Sequence, residues 1–226
     1  MATKKKQDTI KKVTTIIICT ILVIALMVPV TALGMMSCSE QQPPAASEGE
    51  TASDVLNDIT SGDGAEVGAT DLQAMYAASL EKHEAAVEAD PSNYNNYELL
   101  GNVAMDWAVA AQQGELDPSP YTIAELYEKS IAAYAKRLEL KPSPEVSVDK
   151  AIATFYNGDT PTAIAELEAF TAEDPYFAPA WANLGKFYES DEQYEKARES
   201  YQKALDSNPT DAMRSFAQQG LDGLPE

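Results

Sequence analysis

Residues 178–209 constrain the fold more than any other stretch, because their apolar residues are spaced for two helices joined by a short turn. The first set comprises Trp181, Leu184, Gly185 and Tyr188, and the second comprises Ala197, Tyr201 and Ala204. Each set has the spacing of three or four residues that places its members on one side of a helix. Pro209 cannot continue the second helix. The stretch therefore predicts a helical hairpin with one buried face.

The same residues resemble the tetratricopeptide repeat, in which Trp, Leu-Gly and Tyr mark a first helix and Ala, Phe and Pro mark a second. Tyr201 takes the place of the family's Phe. The resemblance implies a row of antiparallel helix pairs that binds other proteins. Because such pairs bury their faces only against neighbours, about three units with capping helices are expected.

Prolines divide the preceding residues into two further units. Pro175 and Pro209 are 34 positions apart, which is the family period, and Pro142 and Pro175 are 33 apart. Pro91 and Pro142 are 51 apart, which indicates an insertion at about 110–126. Long inserted loops often carry specificity. We predict repeats at about 94–142, 145–175 and 178–209, with capping helices at 71–89 and 211–221.

Tyr97, Val148 and Trp181 each stand six residues after a proline and take the large first position of a repeat. We therefore expect all three side chains to be buried in equivalent places. The predicted fold is an all-α solenoid of about three helix-turn-helix units with capping helices over residues 71–226. A single N-terminal transmembrane or signal-anchor helix is expected to precede it.

That N-terminal helix is predicted at residues 13–39, which carry no charged side chain and follow a basic leader at 1–12. A run of about 20 apolar residues spans a bilayer, and lysines favour its cytoplasmic side. We therefore predict a membrane-anchored bacterial protein, single-pass, with a cytoplasmic N-terminus and an extracytoplasmic repeat domain. A lipoprotein signal processed at Cys38 and a cleaved signal peptide are alternatives. Residues 40–70 are rich in Pro, Gly, Ser and acids, which predicts a flexible acidic linker.

Catalytic, metal and cofactor sites find little support in the sequence. His83 is the single histidine, and the two cysteines, Cys19 and Cys38, lie in or beside the apolar run. These residues cannot supply a zinc site. No GxSxG, GxxxxGK[ST] or GxGxxG motif occurs. The net charge of −20 opposes binding to nucleic acid. We therefore predict a protein that is not an enzyme and holds no cofactor or metal.

In the family that this chain resembles, the first helix of each repeat lines a concave groove for a partner. By position, the resemblance marks Asn95, Glu98 and Asn102 in the first repeat, Val146, Asp149 and Ala153 in the second, and Pro179, Ala182 and Lys186 in the third. Met105 and Tyr156 lie about one turn further along. The candidate partner-binding residues are Asn95, Glu98, Asn102, Asp149, Tyr156 and Lys186. Glu98 and Asp149 oppose an anion, so the predicted partner is a neutral or basic protein or peptide.

The leading functional hypothesis is a non-catalytic, protein-binding scaffold of the bacterial cell envelope that engages its partner through the concave groove. One alternative is an assembly chaperone for exported proteins, resembling the membrane-tethered repeat proteins that hold apocytochromes during haem attachment in cytochrome c maturation. Another is a lipoprotein adaptor of an envelope complex. The predicted anchor, its orientation and the repeats agree with all three.

Overall fold

The structure, a computed structural model, describes residues 69–225. Its helices are α1 Ala69–Ala89, α2 Tyr94–Gln112, α3 Ile123–Leu140, α4 Pro144–Tyr156, α5 Thr160–Glu173, α6 Ala178–Ser190, α7 Tyr194–Asp206 and α8 Asp211–Gly223. No strand occurs in this part of the chain, so the prediction of an all-α repeat fold is confirmed there. The predicted leader at 1–12, the apolar segment at 13–39 and nearly all of the linker at 40–70 lie outside the described residues.

Each helix packs against the next one along the chain, so that α2 with α3, α4 with α5, and α6 with α7 form three hairpins. In addition, α4 contacts α6 and α6 contacts α8. The first helices of the second and third hairpins therefore stand side by side, while α1 packs on α2 at one end of the row and α8 packs on α6 and α7 at the other. None of the helices from 69 to 225 is both long and apolar enough to cross a bilayer.

Local polar groups define where the helices begin. At the start of α3, Thr122 Oγ1 accepts the backbone N–H of Glu125 at 3.2 Å, and the Glu125 carboxylate accepts the N–H of Thr122 at 2.7 Å. This reciprocal capping box satisfies two N–H groups that the helix itself leaves free. At the start of α5, Asp159 accepts the N–H of Thr162, and Pro161 occupies the first turn. A proline is tolerated there because its missing N–H is not needed.

The residues at the first large position of each hairpin differ in burial. Tyr97 and Val148 are buried, as predicted, whereas Trp181 remains partly exposed. The Trp181 indole reaches the edge of its hairpin, where Nε1 donates a hydrogen bond to the Pro175 carbonyl at 2.9 Å. Nζ of Lys203 lies 4.3 Å from the centre of the indole ring. The prediction of three equivalent buried positions is therefore wrong for Trp181.

The predicted insertion at 110–126 forms the end of α2, a connecting loop and the start of α3. The buried Trp107 holds this loop, because its Nε1 donates to the Asp117 carbonyl at 3.1 Å. The ring of Tyr121 meets Trp107 edge-on at 5.8 Å, and Tyr76 of α1 stacks on it at 6.2 Å. The insertion therefore lengthens the first hairpin and packs beside α1.

Candidate functional site

Three polar residues form a stripe along α2. Glu98, Asn102 and Asp106 are spaced four positions apart, which places them on the same side of the helix. Asn102 is exposed, whereas Glu98 and Asp106 are partly buried. The stripe therefore presents an amide to solvent between two carboxylates.

Tyr134 of α3 lies at the centre of this site. Its hydroxyl donates a hydrogen bond to Oδ1 of Asn102 at 2.7 Å. Burial raises the pKa of Tyr134, and the negative charges of Asp149, Asp106 and Glu98 raise it further. The three carboxylates therefore lie near enough to this hydroxyl to disfavour its ionised form. We call Glu98, Asn102, Asp106, Tyr134 and Asp149 the tyrosine cluster.

Two carboxylates of the tyrosine cluster differ in how their charge is balanced. Glu98 forms an ion pair with Nε of Arg137 at 2.8 Å, and Arg137 is 7% exposed. Asp149, in contrast, has no ion pair and accepts no hydrogen bond from any described residue. The counter-charge is therefore provided at Glu98 and missing at Asp149.

The missing counter-charge affects proton binding. Burial, followed by the charges of Glu98, Glu145 and Asp106, raises the pKa of Asp149 to about 7. Burial alone raises the pKa of Asp106 to about 6. A carboxyl group that is poorly hydrated and lies near other carboxylates favours its neutral form. Asp149 therefore changes charge close to neutral pH.

The other three predicted residues lie outside the tyrosine cluster. Asn95 is exposed in the first turn of α2. Tyr156 is 47% exposed at the end of α4, and its ring stacks on Tyr127 with a centre-to-centre distance of 6.3 Å. Lys186 is exposed on α6, and its Nζ lies 3.4 Å from the Glu189 carboxylate. Within residues 69–225, no hydrogen bond or ion pair joins these three side chains to the cluster.

Three positions carried over from the family pattern do not face an open surface. Val146, Ala153 and Ala182 are buried. Their small or short side chains fit where neighbouring helices approach closely, and the close approach excludes a partner. Pro179 and Met105 are partly buried, and the Met105 sulfur lies 3.8 Å from the Tyr134 hydroxyl. The prediction that Val146, Ala153 and Ala182 line the groove is therefore wrong.

Sequence reasoning missed Asp106, Tyr134 and Arg137 as members of the site. Asp106 had a detectable signal, since it continues the four-residue spacing from Glu98 through Asn102. Tyr134 stands on the second helix of its hairpin, and the partner of its hydroxyl, Asn102, depends on how α3 packs on α2. No His, Cys, Asp or Glu cluster in the described part of the chain could hold a metal ion.

The geometry of the hairpins agrees with a comparison to known families. Residues 178–211 match the family model described as Tetratricopeptide repeat. The third hairpin is therefore similar to a tetratricopeptide repeat. Repeats of this class stack into solenoids that act as scaffolds for protein interactions, with extended binding surfaces.

Several known proteins are similar to part of this chain. The small glutamine-rich tetratricopeptide repeat-containing protein 2 of Mycosarcoma maydis is 31% identical over 101 residues, which are 44% of this chain and 29% of that protein. The match thus spans less than a third of the relative's length. The crystal structure of MamA is 20% identical and has a TM-score of 0.49, covering 76% of this chain and 91% of that chain. The Sgt2 TPR domain from Aspergillus fumigatus is 23% identical with a TM-score of 0.39, covering 53% and 76%.

Proposed function

We propose that this protein is a non-catalytic scaffold that binds a protein or peptide partner through the first helices of its hairpins. The tetratricopeptide repeat at 178–211 supports this function, because stacked repeats expose a continuous surface to partners. Asn95, Asn102 and Lys186 are exposed on α2 and α6 and supply polar groups for recognition. The exposed ring of Tyr156 supplies an apolar contact.

The proposed partner is basic or neutral where it meets the tyrosine cluster. The observation that carries this proposal is Asp149, whose carboxyl group has no cation or hydrogen-bond donor among the described residues. A poorly hydrated carboxylate without a partner is unfavourable. A lysine or arginine of the partner would supply the missing positive charge. Glu98 already has Arg137, so Asp149 is the proposed contact for the partner's cation.

The experiment titrates the full chain with three blocked peptides and measures affinity by calorimetry. The first is acetyl-Gly-Lys-Leu-Lys-Leu-Gly-amide, and the others replace both lysines with glutamine or with glutamate. We expect the lysine peptide to bind at least fivefold more tightly than the glutamate peptide. Its affinity should rise between pH 5.5 and 8, because Asp149, with a pKa of about 7, becomes a carboxylate over this interval.

The control separates a specific contact from general attraction to an acidic protein. Asp149→Asn should remove most of the preference for the lysine peptide. Glu128→Gln, which removes one negative charge from an exposed site on α3, should leave this preference unchanged. Equal losses in the two variants, or equal affinity for the lysine and glutamate peptides, would contradict the proposed contact.

We also propose that the protein works in the cell envelope, attached through its N-terminal segment. This proposal is supported by the uncharged run at 13–39 and the lysines before it. Mass measurement of the mature N-terminus, together with membrane fractionation, tests it. An uncleaved chain or a lipid on Cys38 in the membrane fraction would support attachment. An uncleaved, unmodified chain in the soluble fraction would contradict it.

A further inference from the structure

The first hairpin is attached to the rest of the row along one helix only. α3 packs on α4, but within residues 69–225 no comparable contact joins α2 to α4. The second and third hairpins, in contrast, are joined twice, through α5 with α6 and through α4 with α6. A unit that is attached along one edge can rotate about that edge, which is how hinged domains move. We call the boundary between α2 and α4 the open seam.

The buried apolar residues divide at the same place. One core cluster contains residues of α1, α2, α3 and the loop between α2 and α3, together with Val146 and Ala153 of α4. The other cluster begins at Val148 and Ala151 of α4 and continues to α8. The spacing of these four residues places the two pairs on different sides of α4. The first hairpin and the rest of the row therefore have separate cores, which meet at α4.

An aromatic contact that joins two first helices elsewhere is missing at the open seam. The rings of Phe155 on α4 and Phe187 on α6 stack with their centres 4.4 Å apart. Counted from the first large residue of each repeat, the equivalent pair at the open seam is Ala104 of α2 and Thr154 of α4. These short side chains cannot form such a stack. The open seam therefore lacks the contact area that holds α4 on α6.

Carboxylates of like charge act on each other across the open seam. After burial, the charges of Glu98 and Asp106 on α2 contribute to the raised pKa of Asp149 on α4. Glu98 is neutralised by Arg137, whereas Asp106 and Asp149 have no ion pair or hydrogen bond with any described residue. Repulsion between two poorly hydrated carboxylates is stronger than it would be in water.

The remaining helices around Asp149 do not offset this repulsion. Glu145, on α4 itself, adds a third negative charge that raises the pKa of Asp149. Tyr134 of α3 is uncharged near neutral pH, because its own pKa is raised. No charged group of α5 or α6 contributes to the raised pKa of Asp149. The balance of charge at the open seam therefore depends on whether Asp149 is ionised.

We propose that the open seam is a hinge, which repulsion between Asp106 and Asp149 holds open and which closes when Asp149 loses its charge. On closure, the first hairpin and α1 rotate about the contact between α3 and α4, and α2 moves toward α4. The curvature of a repeat row follows from the rotation between neighbouring units, so closure changes the shape of the surface formed by the first helices. The hinge operates without a partner and does not depend on the proposed function.

The experiment attaches spin labels to pairs of cysteines in the full chain and measures the distance between the labels by double electron–electron resonance. One pair, Asn95→Cys with Ser190→Cys, spans the open seam from α2 to the end of α6. The other pair, Ser190→Cys with Ser215→Cys, joins α6 to α8 and does not cross it. All three positions are exposed. Cys19 and Cys38 are replaced by serine in every labelled chain.

Neutral Asp149 should bring the first pair of labels closer together. At pH 8, Asp149→Asn should shorten the distance from residue 95 to residue 190 by about 3 Å, because the hinge closes without this charge. Lowering the pH from 8 to 5.5 should have a similar effect in the parent protein, since Asp149 gains a proton over this interval. In Asp149→Asn the same pH change should have less than half this effect, which arises from Asp106.

Two controls separate hinge closure from a general response to charge. Glu128→Gln removes one negative charge from an exposed site on α3 and should leave both distances unchanged. The distance from residue 190 to residue 215 should change by less than about 1 Å under every condition, because α6 and α8 are in direct contact. Circular dichroism establishes that each variant is folded.

Three results would overturn the hinge. The first is an unchanged distance from residue 95 to residue 190 in Asp149→Asn at pH 8. The second is equal shortening of both label pairs, which would show that the whole row becomes more compact. The third is equal shortening in Asp149→Asn and Glu128→Gln, which would show an effect of net charge instead of repulsion at the open seam.

Discussion

The ring of Tyr201 packs so closely on Gly185 that a Cβ atom built on this glycine would lie 2.7 Å from Cδ1 of the ring. Gly220 of α8 approaches the same ring, with its built Cβ at 2.3 Å from Cζ. The Tyr201 hydroxyl donates to the Glu189 carboxylate at 2.8 Å, which fixes the ring from its far end. One buried tyrosine of α7 therefore determines how closely both α6 and α8 approach.

We predict that Gly185→Ala destabilises the protein by about 1–3 kcal/mol, because the added methyl group overpacks a ring that cannot move away. Chemical denaturation measures the change. Gly223→Ala is the matched control, since a Cβ there meets no atom within 4 Å, and it should be neutral or slightly stabilising. A neutral Gly185→Ala variant would mean that the hairpin absorbs the methyl group without strain.

The close glycine–tyrosine contact could be predicted from the sequence because it depends on residues within one repeat. The spacing of Gly185 and Tyr201 indicates where two helices of a hairpin meet, and the pair formed by Gly101 and Tyr134 repeats the arrangement, with a built Cβ 2.5 Å from Cε1. The position of Trp181 was less predictable. The first position of the repeat predicts a large side chain. It does not predict that the indole N–H of Trp181 donates a hydrogen bond to the Pro175 carbonyl.

Only part of the candidate site could be predicted, because most of its contacts join residues that are far apart in the sequence. The pattern of first-helix positions indicated Glu98, Asn102 and Asp149. It did not indicate that Arg137, which is 39 positions from Glu98, would neutralise one of these carboxylates and leave Asp149 without a cation. Such pairings depend on the rotation of α3 against α2, which no local spacing determines.

The ion pair between Glu98 and Arg137 should contribute measurably to stability. Glu98→Ala removes the carboxylate from a nearly buried guanidinium, whose remaining hydrogen bond is to the Lys141 carbonyl. We expect a loss of about 1–2 kcal/mol, moderated because the Glu98 side chain is 37% exposed.

The control for this variant is the surface pair of Lys136 and Glu139, whose nitrogen and oxygen are 2.7 Å apart. Both side chains are well exposed, so Glu139→Ala should change the free energy of unfolding by less than about 0.5 kcal/mol. Equal effects in the two variants would contradict a special role for Arg137. Charge reversal at Glu98 is unsuitable for testing partner binding, because a lysine there would face Arg137 and disturb the fold.

Asp149 should make the stability of the protein depend on pH. Its pKa is raised from the model-peptide value to about 7 in the folded state, so the folded protein holds this proton more tightly than the unfolded chain. The resulting stabilisation is fully present below about pH 4 and is lost as pH rises toward 7. We therefore expect Asp149→Asn to be more stable than the parent protein above pH 7, by about 1–2 kcal/mol, with the difference shrinking toward pH 4.

Denaturation curves at pH 4.5, 6 and 8 measure this dependence for the parent protein and the variant. Glu128→Gln, at an exposed site on α3, removes the same charge and should give a small difference that does not grow with pH. If the Asp149→Asn advantage is the same at all three values, the carboxyl group does not titrate in this interval, and the electrostatic basis for a basic partner is lost.

Trp107 should determine whether the loop between α2 and α3 stays packed beside α1. Its indole N–H donates to the Asp117 carbonyl, and its ring contacts both Tyr76 and Tyr121. Trp107→Phe keeps an aromatic side chain but removes the hydrogen bond and leaves unfilled volume, so we expect a loss of about 1–3 kcal/mol. Hydrogen exchange should accelerate in the loop and in α1, while α6 and α7, at the other end of the row, keep their protection.

Trp181→Phe, made at a partly exposed indole, should leave the exchange of the loop unchanged. Faster exchange spread evenly over all eight described helices would instead indicate that the row unfolds as one cooperative unit, and that Trp107 has no local role in holding the loop.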